Sequence, residues 1–351
     1  MEKYRTLREL LLETLREREV YSVGVKVILS RSELARQGFQ RIALEILLND
    51  AVICDEHVFG EVFKTETISS QEYRIVIPPG STRADSTLTR RLRCSKRVLV
   101  SRDNLEKLVS INVKPLFVIE LGASRRRNNL GSEGLLEGID LDVEIADALE
   151  YIRRHLWDEN LVIASSSPTI VETLEKNVGY NRVVVTAKSS AEFLWGKGIE
   201  RVAVITRNAY KPLTSDELYS YDAYVFPILG GDNDIKTRSL VESLVPWGKL
   251  RRIELRGSTV GVPEKLSRLL CILVRAFYDF DGDIDKAVVS CMSSRDIRRR
   301  LLREIESRAK ESLMGRYVSI EDYLDIASWL PVTVQEFKRV CDLLGLKTRG
   351  I

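Results

Sequence analysis

The sequence predicts an α/β protein built on a largely parallel sheet, and three observations carry this prediction. From Lys114 onward, short apolar runs typical of strands alternate with amphipathic helical patterns, and repeated strand–helix units favour a parallel sheet. The chain has 351 residues, of which 44% are hydrophobic, enough for a substantial core and for more than one domain. Two glycine-containing turns follow neighbouring predicted strands, where parallel sheets form ligand pockets.

The first part of the chain, residues 1–110, predicts a small α+β domain. An amphipathic, charged helix is expected over residues 1–19. It is followed by β-like runs at Tyr21–Leu29, Ala51–Phe59 and Glu72–Gly80.

The alternating pattern over residues 111–280 predicts one α/β domain. Its expected strands lie in PLFVIELG, NLVIASSS, RVVVT, RVAVIT, YVFPILGG and RRIELRG. Its expected helices lie in DVEIADALEYIRRHLW, SPTIVETLEKN, SAEFLWGKG, RSLVESL and EKLSRLLCILVRAF. Residues 281–351 predict a basic helical domain, in which the helix Arg295–Leu313 dominates and spreads its arginines around its circumference.

The two glycine turns mark the expected pocket. The apolar run Arg252–Leu255 leads into LRGSTVGVP (Leu255–Pro263), which precedes the amphipathic segment Glu264–Phe277. Upstream, the run Tyr224–Leu229 ends in Gly230-Gly231-Asp232-Asn233-Asp234 and is also followed by a helical pattern. Glycines between a strand and a helix indicate backbone under geometric constraint.

Composition excludes several classes of protein. Lys and Arg number 54 and Asp and Glu 51, so attraction to a polyanion requires local clustering rather than the net charge of +3. The five cysteines are widely spaced and form no CxxC pair, which argues against a disulfide framework and a zinc site and favours a cytoplasmic setting. Without a long apolar run or a signal peptide, the protein is expected to be soluble.

The common nucleotide and hydrolase motifs are absent from the sequence: there is no GxGxxG after the first strand, no GxxxxGK[ST], no HExxH and no GxSxG. The string Asp279–Asp285 resembles the start of a calcium loop, but Ile284 replaces the turn glycine and Ser290 the bidentate glutamate. A helix-capping acidic linker is therefore expected, and no metal. His155 is expected to be structural.

Three segments in this order carry a family resemblance: YIRRHLWDENLVIA, AYVFPILGGDNDIK and RIELRGSTVGVPEKLSRLLCILVRA. They resemble the archaeal branch of the tRNA purine-9 N1-methyltransferases, within the SPOUT superfamily of trefoil-knotted enzymes. The resemblance covers the whole α/β domain. It implies a SPOUT-type sheet with a C-terminal trefoil knot, S-adenosylmethionine as cofactor, tRNA as partner and a monomeric enzyme.

The resemblance also implies site residues. In the family an aspartate that follows the Gly-Gly pair after two intervening residues is the acid/base candidate, and here it falls on Asp234. The intervening positions, commonly apolar, are Asp232 and Asn233; repulsion between the two carboxylates would raise the pKa of one, so Asp232 competes for the role. The implied cofactor-binding residues are Thr206, Leu229, Gly230, Gly231, Leu255, Gly257, Ser258, Thr259, Val260 and Gly261.

These residue types suit methyl transfer. Glycine lets the main chain approach the cofactor closely, and in-line displacement depends on holding the nucleophilic nitrogen and the methyl carbon in line. With guanine as target, a carboxylate would accept the N1 proton; with adenine, N1 already has a lone pair and the same carboxylate would orient the base. Pro227 lies in an expected central strand, where proline is tolerated mainly at ends or bulges.

Two basic stretches indicate an RNA surface. Residues 81–102 hold seven basic side chains against the single acid Asp85, and an arginine triplet follows the first strand of the α/β domain. The expected RNA-binding residues are Arg83, Arg90, Arg91, Arg93, Lys96, Arg97, Arg125, Arg126 and Arg127. Three alternatives remain open at this point: an ordinary solvated charged surface, a SPOUT enzyme that methylates another position or a ribose 2′-hydroxyl, and a non-catalytic RNA-binding protein of the same fold.

Overall fold

A computed structural model describes residues 4–111, 114–122, 141–166, 172, 182–228, 241–311 and 315–350. The chain divides into two compact units. The first comprises Met1–Phe117 and Leu149–Ala187, and the second comprises Val118–Ala148 and Lys188–Ile351. The division at residues 110 and 280 that the sequence suggests stays a prediction.

The first unit contains a six-stranded mixed sheet in the order β3-β4-β1-β5-β2-β6. Its strands are β1 (Ser22–Val25), β2 (Ala51–Cys54), β3 (Val58–Ile68), β4 (Gln71–Ala84), β5 (Ser86–Arg90) and β6 (Val98–Val100). The central strand β1 is parallel to both β4 and β5, whereas β3 pairs with β4, and β2 with β5 and β6, in antiparallel register. Residues 4–111 therefore combine helices with a mixed sheet.

Helices of the first unit cover this sheet with a leucine-rich core. They are α1 (Leu7–Arg16), α2 (Arg31–Gln37), α3 (Phe39–Asn49) and α4 (Arg102–Ile111). Helix α1 starts at a capping box in which the Thr6 hydroxyl accepts from the Glu9 amide and the Glu9 carboxylate accepts from the Thr6 amide. Its leucines at 7, 10, 11 and 15 are buried at the spacing of one helix face, and Leu12 beside that face is buried as well.

The LWDEN segment, which contributes to the family resemblance, is largely buried in the first unit. The Trp157 side chain is buried in the helix core. The fully buried Asp158 carboxylate accepts two 2.7 Å hydrogen bonds from Arg153. Asn160 donates through Nδ2 to the Pro115 carbonyl at 3.0 Å. The Asp158 and Asn160 side chains therefore find their hydrogen-bond partners in Arg153 and in the Pro115 backbone, inside the unit. Beyond it, β8 (Leu161–Ala164) and β9 (Val184–Val185) pair in parallel.

The second unit contains the parallel strands that position the site. Its strands lie in the order β12-β10-β11-β7. Their bounds are β7 (Leu116–Glu120, whose last residues belong to this unit), β10 (Val202–Ile205), β11 (Ala223–Pro227) and β12 (Lys249–Arg251). Strand β10 is parallel to both β11 and β12. All four residues of β10 are buried, which explains its uninterrupted apolar sequence.

Helices of the second unit complete the α/β layer and form a C-terminal bundle. They are α5 (Leu141–Ile152, which starts in this unit), α6 (Ser190–Gly196), α7 (Ser215–Leu218), α8 (Leu266–Tyr278), α9 (Ile284–Cys291), α10 (Ser294–Arg308), α11 (Ile320–Ala327) and α12 (Val334–Leu343). Helix α8 is tied to the sheet by Phe277, whose ring packs edge-on against Tyr224 at 5.7 Å. The last three helices share a separate core around Leu301, Ile326 and Phe337 and lie beside a parallel pair, β13 (Tyr317–Ser319) and β14 (Lys347–Arg349).

Several element boundaries differ from the sequence prediction. The expected strand at Arg252–Leu255 is wrong: β12 ends at Arg251, and residue 252 instead bridges to Pro212. The C-terminal basic helix ends at Arg308 rather than 313, because residue 310 forms a bridge with Tyr317. Pro227 is the last residue of β11, a position where its missing N–H is tolerated.

The expectation that the cysteines form no disulfides is wrong. The structure pairs Cys54 with Cys94 and Cys271 with Cys291, at Cα–Cα distances of 6.0 and 6.3 Å. Spacing along the chain does not report distance in the fold, and these separations lie in the range that a disulfide spans. The cysteine pattern therefore carries no argument about the redox compartment. Within the ranges given above, no helix combines the length and the apolar character needed to span a bilayer.

Candidate functional site

The carboxyl ends of the parallel strands in the second unit define the candidate site. Because β10, β11 and β12 run in the same direction, the segments after Ile205, Pro227 and Arg251 leave the sheet at one edge. Strand β7 ends there too, since the amide of Ile228 donates to the Glu120 carbonyl at 2.9 Å. Ligands of open α/β sheets bind at such edges.

After β12, residues Leu255–Val262 form two consecutive tight turns, here called the double-turn loop. The first closes through reciprocal hydrogen bonds between Leu255 and Ser258, with N···O distances of 2.8 and 3.1 Å. The second closes when the Val262 amide donates to the Thr259 carbonyl at 3.2 Å. Its neighbour, the Val260 amide, donates to the Ser258 hydroxyl at 3.1 Å, which fixes the link between the two turns.

Positive φ angles explain why glycine occurs twice in the double-turn loop. Arg256 and Gly257 have φ values of +47° and +74°, as the two central residues of a type I′ turn require. Gly261 has φ +81° in the second turn. A Cβ on Gly257 would meet nothing within 4 Å, so this turn faces open space, whereas a Cβ on Gly261 would lie 2.6 Å from Arg300 Cβ. One glycine borders open space and the other a packed surface.

The segment after β10 lies alongside the start of the double-turn loop. The Thr206 amide donates to the Arg251 carbonyl at 2.9 Å. The Arg252 amide donates to Lys211 O at 3.0 Å, and the Leu213 amide donates to Arg252 O at 2.8 Å. The two segments therefore extend the β10–β12 pairing beyond the ends of both strands.

Two consecutive arginines strengthen this junction. The buried Arg251 forms a bidentate pair with Glu217 at 2.8 and 2.6 Å, and this hydrogen bonding holds the pKa of Glu217 below its ordinary value. Arg252 donates through Nη1 to the carbonyls of Ala209 and Tyr210 at 2.6 and 2.5 Å. Both guanidinium groups fasten residues 206–218 to the strand that enters the double-turn loop.

Two buried glutamates near this edge were missed by sequence reasoning. Glu120, the last residue of β7, accepts from the amide and hydroxyl of Ser190, each at 2.7 Å, and from the Gly122 amide at 2.6 Å. Glu144 accepts from the Ser267 amide at 2.9 Å and thereby caps α8, whose N-cap residue Lys265 makes no side-chain cap bond. Both orient the backbone that leads into or out of the site.

The structure brings together seven of the residues expected to bind the cofactor: Thr206, Leu255, Gly257, Ser258, Thr259, Val260 and Gly261. Thr206 and the double-turn loop are joined through the adjacent residues 251 and 252. Outside the described residues lie the expected catalytic pair Asp232 and Asp234, the cofactor residues Leu229, Gly230 and Gly231, and the arginines Arg125, Arg126 and Arg127. Their roles stay predictions.

The basic cluster of the first unit divides into two groups. Arg90 is held by Glu45, with a 3.2 Å ion pair, and by the Asn49 carbonyl at 2.6 Å; Arg91 lies 3.9 Å from Asp50. The remaining members are exposed, and within the described part of the chain none of them lies within ion-pair distance of a carboxylate: Arg83, Arg93, Lys96 and Arg97. The second group carries the uncompensated charge.

The acidic linker after α8 behaves as a helix cap. The Asp283 carboxylate accepts from the Lys286 amide at 2.9 Å at the start of α9. Among the residues that the structure describes, no group of three or more His, Cys, Asp or Glu side chains is arranged to hold a metal ion.

Two curated proteins are similar to this chain over most of its length. A tRNA (guanine(9)-/adenine(9)-N1)-methyltransferase of Thermococcus kodakarensis is 24% identical over 364 residues, covering 99% of this chain and 91% of that protein. A tRNA (adenine(9)-N1)-methyltransferase of Sulfolobus acidocaldarius is 26% identical over 317 residues, covering 88% of this chain and 91% of that protein. No family model matches the chain.

Solved structures show the same fold. Sulfolobus acidocaldarius Trm10 in complex with S-adenosylhomocysteine gives a TM-score of 0.64 at 18% identity, covering 97% of this chain and all (100%) of that one. A dual specific Trm10 from Thermococcus kodakaraensis gives a TM-score of 0.54 at 15% identity, covering 79% of this chain and 97% of that one. The resemblance found in the sequence is therefore confirmed: the chain is similar over nearly its whole length to archaeal tRNA (guanine/adenine-9) N1-methyltransferases and has the Trm10 fold.

Proposed function

We propose that this protein is an S-adenosylmethionine-dependent tRNA methyltransferase that modifies N1 of the purine at position 9. The observation that carries the proposal is the near-full-length similarity to two curated enzymes of that activity. The double-turn loop at the carboxyl edge of parallel strands supplies a site of suitable form for the cofactor.

The residues around the double-turn loop fit S-adenosylmethionine. The turn at Gly257 faces open space and carries no side chain at that residue, so backbone amides and carbonyls can approach an adenosine closely. Thr206, Ser258 and Val260 are half-exposed and offer hydroxyl and apolar groups for the proposed cofactor. When bound, the cofactor supplies an electrophilic methyl group on a sulfonium.

Acid/base work in this proposal falls to Asp234, with Asp232 as its competitor. For a guanine target, the carboxylate accepts the N1 proton so that the ring nitrogen can attack. For an adenine target, the carboxylate orients the base or compensates the charge that develops on it. The chain's own contribution to the rate is otherwise positional, because in-line displacement depends on the alignment of nucleophile and methyl carbon.

The exposed basic group of the first unit contacts tRNA in this proposal. Arg83, Arg93, Lys96 and Arg97 are exposed, without a carboxylate partner among the described residues, and suit phosphate contact. Arg125, Arg126 and Arg127, which follow β7 in sequence, are assigned the same role. The proposal also includes the C-terminal trefoil knot, the three-domain division and a monomeric state; light scattering of the purified protein tests the last of these.

The test is incubation of the purified protein with radiolabelled S-adenosylmethionine and unmodified tRNA, followed by nucleoside analysis. The proposal expects N1-methylated adenosine or guanosine. A 2′-O-methylated nucleoside would favour an enzyme acting on ribose, and tRNA binding without any methyl incorporation or cofactor binding would favour a non-catalytic RNA-binding protein. Either of these two results would overturn the proposal.

Asp234→Asn tests the acid/base assignment, with Asp232→Asn as the matched variant. On guanine-9 tRNA we expect Asp234→Asn to lower kcat by about 10²-fold or more, because the base is lost. Affinity for S-adenosylhomocysteine should stay within the error of calorimetry. A full rate in Asp234→Asn together with a slow Asp232→Asn would move the role to Asp232.

A further inference from the structure

A tryptophan in the turn after α11 contacts two arginines, one of which belongs to the double-turn loop. The guanidinium carbon of Arg256, in the first turn, lies 4.4 Å from the centroid of the Trp329 ring. The guanidinium carbon of Arg300, on α10, lies 5.4 Å from the same ring. Both distances are within the range of a cation–π interaction. The tryptophan thereby links the loop to α10.

Arg300 contacts the second turn of the loop. Its side chain is 3% exposed, and Nη1 donates to the Val260 carbonyl at 3.4 Å. Its Nη2 forms a 2.6 Å ion pair with Glu304 one turn further along α10. Burial lowers the pKa of Arg300, while Glu304 and Asp285 act in the opposite direction. A buried arginine is costly to desolvate, and the Nε of Arg300 has no hydrogen-bond partner among the described residues.

The loop backbone lies directly against α10 and α9. A Cβ at Gly261 would lie 2.6 Å from Arg300 Cβ and 3.0 Å from the Asp296 carbonyl, so the chain passes too close for any side chain at that position. The Arg256 amide donates to the Asp285 carboxylate of α9 at 2.9 Å. Contacts from α9, from α10 and from Trp329 therefore reach both turns of the loop.

We infer that Arg300 and Trp329 are positioning residues that hold the double-turn loop in its cofactor-binding conformation, which makes the C-terminal helices a determinant of S-adenosylmethionine affinity. The inference rests on the proposed function, since that assigns the loop to the cofactor. The physical basis is preorganisation: a loop fixed before binding does not lose conformational entropy when the ligand arrives. Neither side chain needs to touch the cofactor.

The experiment compares Arg300→Met with Arg299→Met in the full-length protein. Arg299 is the exposed neighbour on the same helix, so its substitution removes the same charge without touching the loop. We expect Arg300→Met to weaken S-adenosylhomocysteine binding by about tenfold or more in calorimetry, and Arg299→Met to change it by less than about twofold. The KM for S-adenosylmethionine should rise in Arg300→Met while kcat at saturating cofactor and the KM for tRNA stay near wild type.

Two substitutions of Trp329 provide a second test that leaves the buried Arg300 unchanged. Trp329→Phe keeps an aromatic face for the two guanidinium groups, whereas Trp329→Leu removes it. We expect the phenylalanine variant to bind S-adenosylhomocysteine close to wild type and the leucine variant to bind it several-fold more weakly. Equal affinities in the two variants would overturn the role of the ring, and this series stays informative if Arg300→Met does not fold.

Hydrogen exchange separates this inference from the proposed function. Without any ligand, the amides of residues 255–262 should exchange faster in Arg300→Met and Trp329→Leu than in Arg299→Met. Unchanged exchange in those amides together with unchanged S-adenosylhomocysteine affinity would overturn the inference. A wild-type protein that binds no S-adenosylhomocysteine would instead overturn the proposed function.

Discussion

The two glycines of the double-turn loop give a sharp test of how the loop is supported. Gly257 and Gly261 have similar positive φ angles, +74° and +81°, so alanine at either position incurs the same left-handed penalty of about 1–2 kcal/mol. Reduced freedom of the unfolded chain offsets about 0.4–1 kcal/mol of this penalty. The two substitutions are therefore matched in backbone strain.

They differ in what the new methyl group meets. At Gly257 it finds nothing within 4 Å, whereas at Gly261 it would lie 2.6 Å from Arg300 Cβ, a backbone-proximal atom that a rotamer change does not move. Forcing a methyl group into a packed contact costs about 1–3 kcal/mol. Gly261→Ala should therefore lower the free energy of unfolding by about 1–3 kcal/mol more than Gly257→Ala does.

Urea denaturation of both variants and the wild type, followed by tryptophan fluorescence and by hydrogen exchange of residues 255–262, measures this difference. We expect a lower midpoint for Gly261→Ala than for Gly257→Ala, with faster exchange in the loop. Equal losses in the two variants would refute the view that the loop backbone lies against α10.

Three further predictions concern the supports and surfaces around the site. Glu217→Gln should lower the free energy of unfolding at pH 7 by about 1–3 kcal/mol, because the pairing with Arg251 is lost. Since the pKa of Glu217 is lowered in the fold, its contribution to stability decreases progressively as the pH falls below the unfolded-state value of about 4.3 and through the lower folded-state pKa. A difference between wild type and variant that stays constant in urea titrations from pH 7 to 3 would contradict this. Lys96→Gln/Arg97→Gln should weaken tRNA binding and reduce the slope of log K against log salt by about 1–2, measured by filter binding; an unchanged slope would remove this pair from the RNA surface. Burial raises the pKa of the Cys341 thiol to about 11, so iodoacetamide should not modify it in the native protein. After unfolding without a reducing agent, iodoacetamide should label one thiol per chain, because the other four cysteines form two disulfides. Five labelled thiols would contradict the two disulfides.

The fold was predictable where local pattern and tertiary environment agree. Strands such as β10 are buried on both faces and read as continuous apolar runs, which the sequence displays directly. Boundaries were less predictable: residues 252–255 have the composition of a strand, but the Arg252 amide and carbonyl pair with the loop after β10 rather than with a strand. Whether residues 252–255 form a strand therefore depends on Lys211 and Leu213, some forty residues away along the chain.

The candidate site shows the same division. Glycines at 257 and 261 mark the double-turn loop in the sequence because positive φ at those positions favours glycine. No sequence pattern identifies Glu144 or Arg300 as part of the site. Glu144 accepts from the Ser267 amide and Arg300 donates to the Val260 carbonyl, and both hydrogen bonds join residues that are distant in sequence. A buried charge on an otherwise charged helix cannot be distinguished from its exposed neighbours by composition alone.

Methyl transfer to a defined tRNA position tests the central claim most directly. Purified protein, S-adenosylmethionine and two transcripts that differ only at position 9, one with a purine and one with a pyrimidine, are incubated, and the products are mapped by nuclease digestion and mass spectrometry. The account predicts a single N1-methylated purine at position 9 in the first transcript and no methylation of the second. Equal methylation of both transcripts, or methylation of neither, would contradict it.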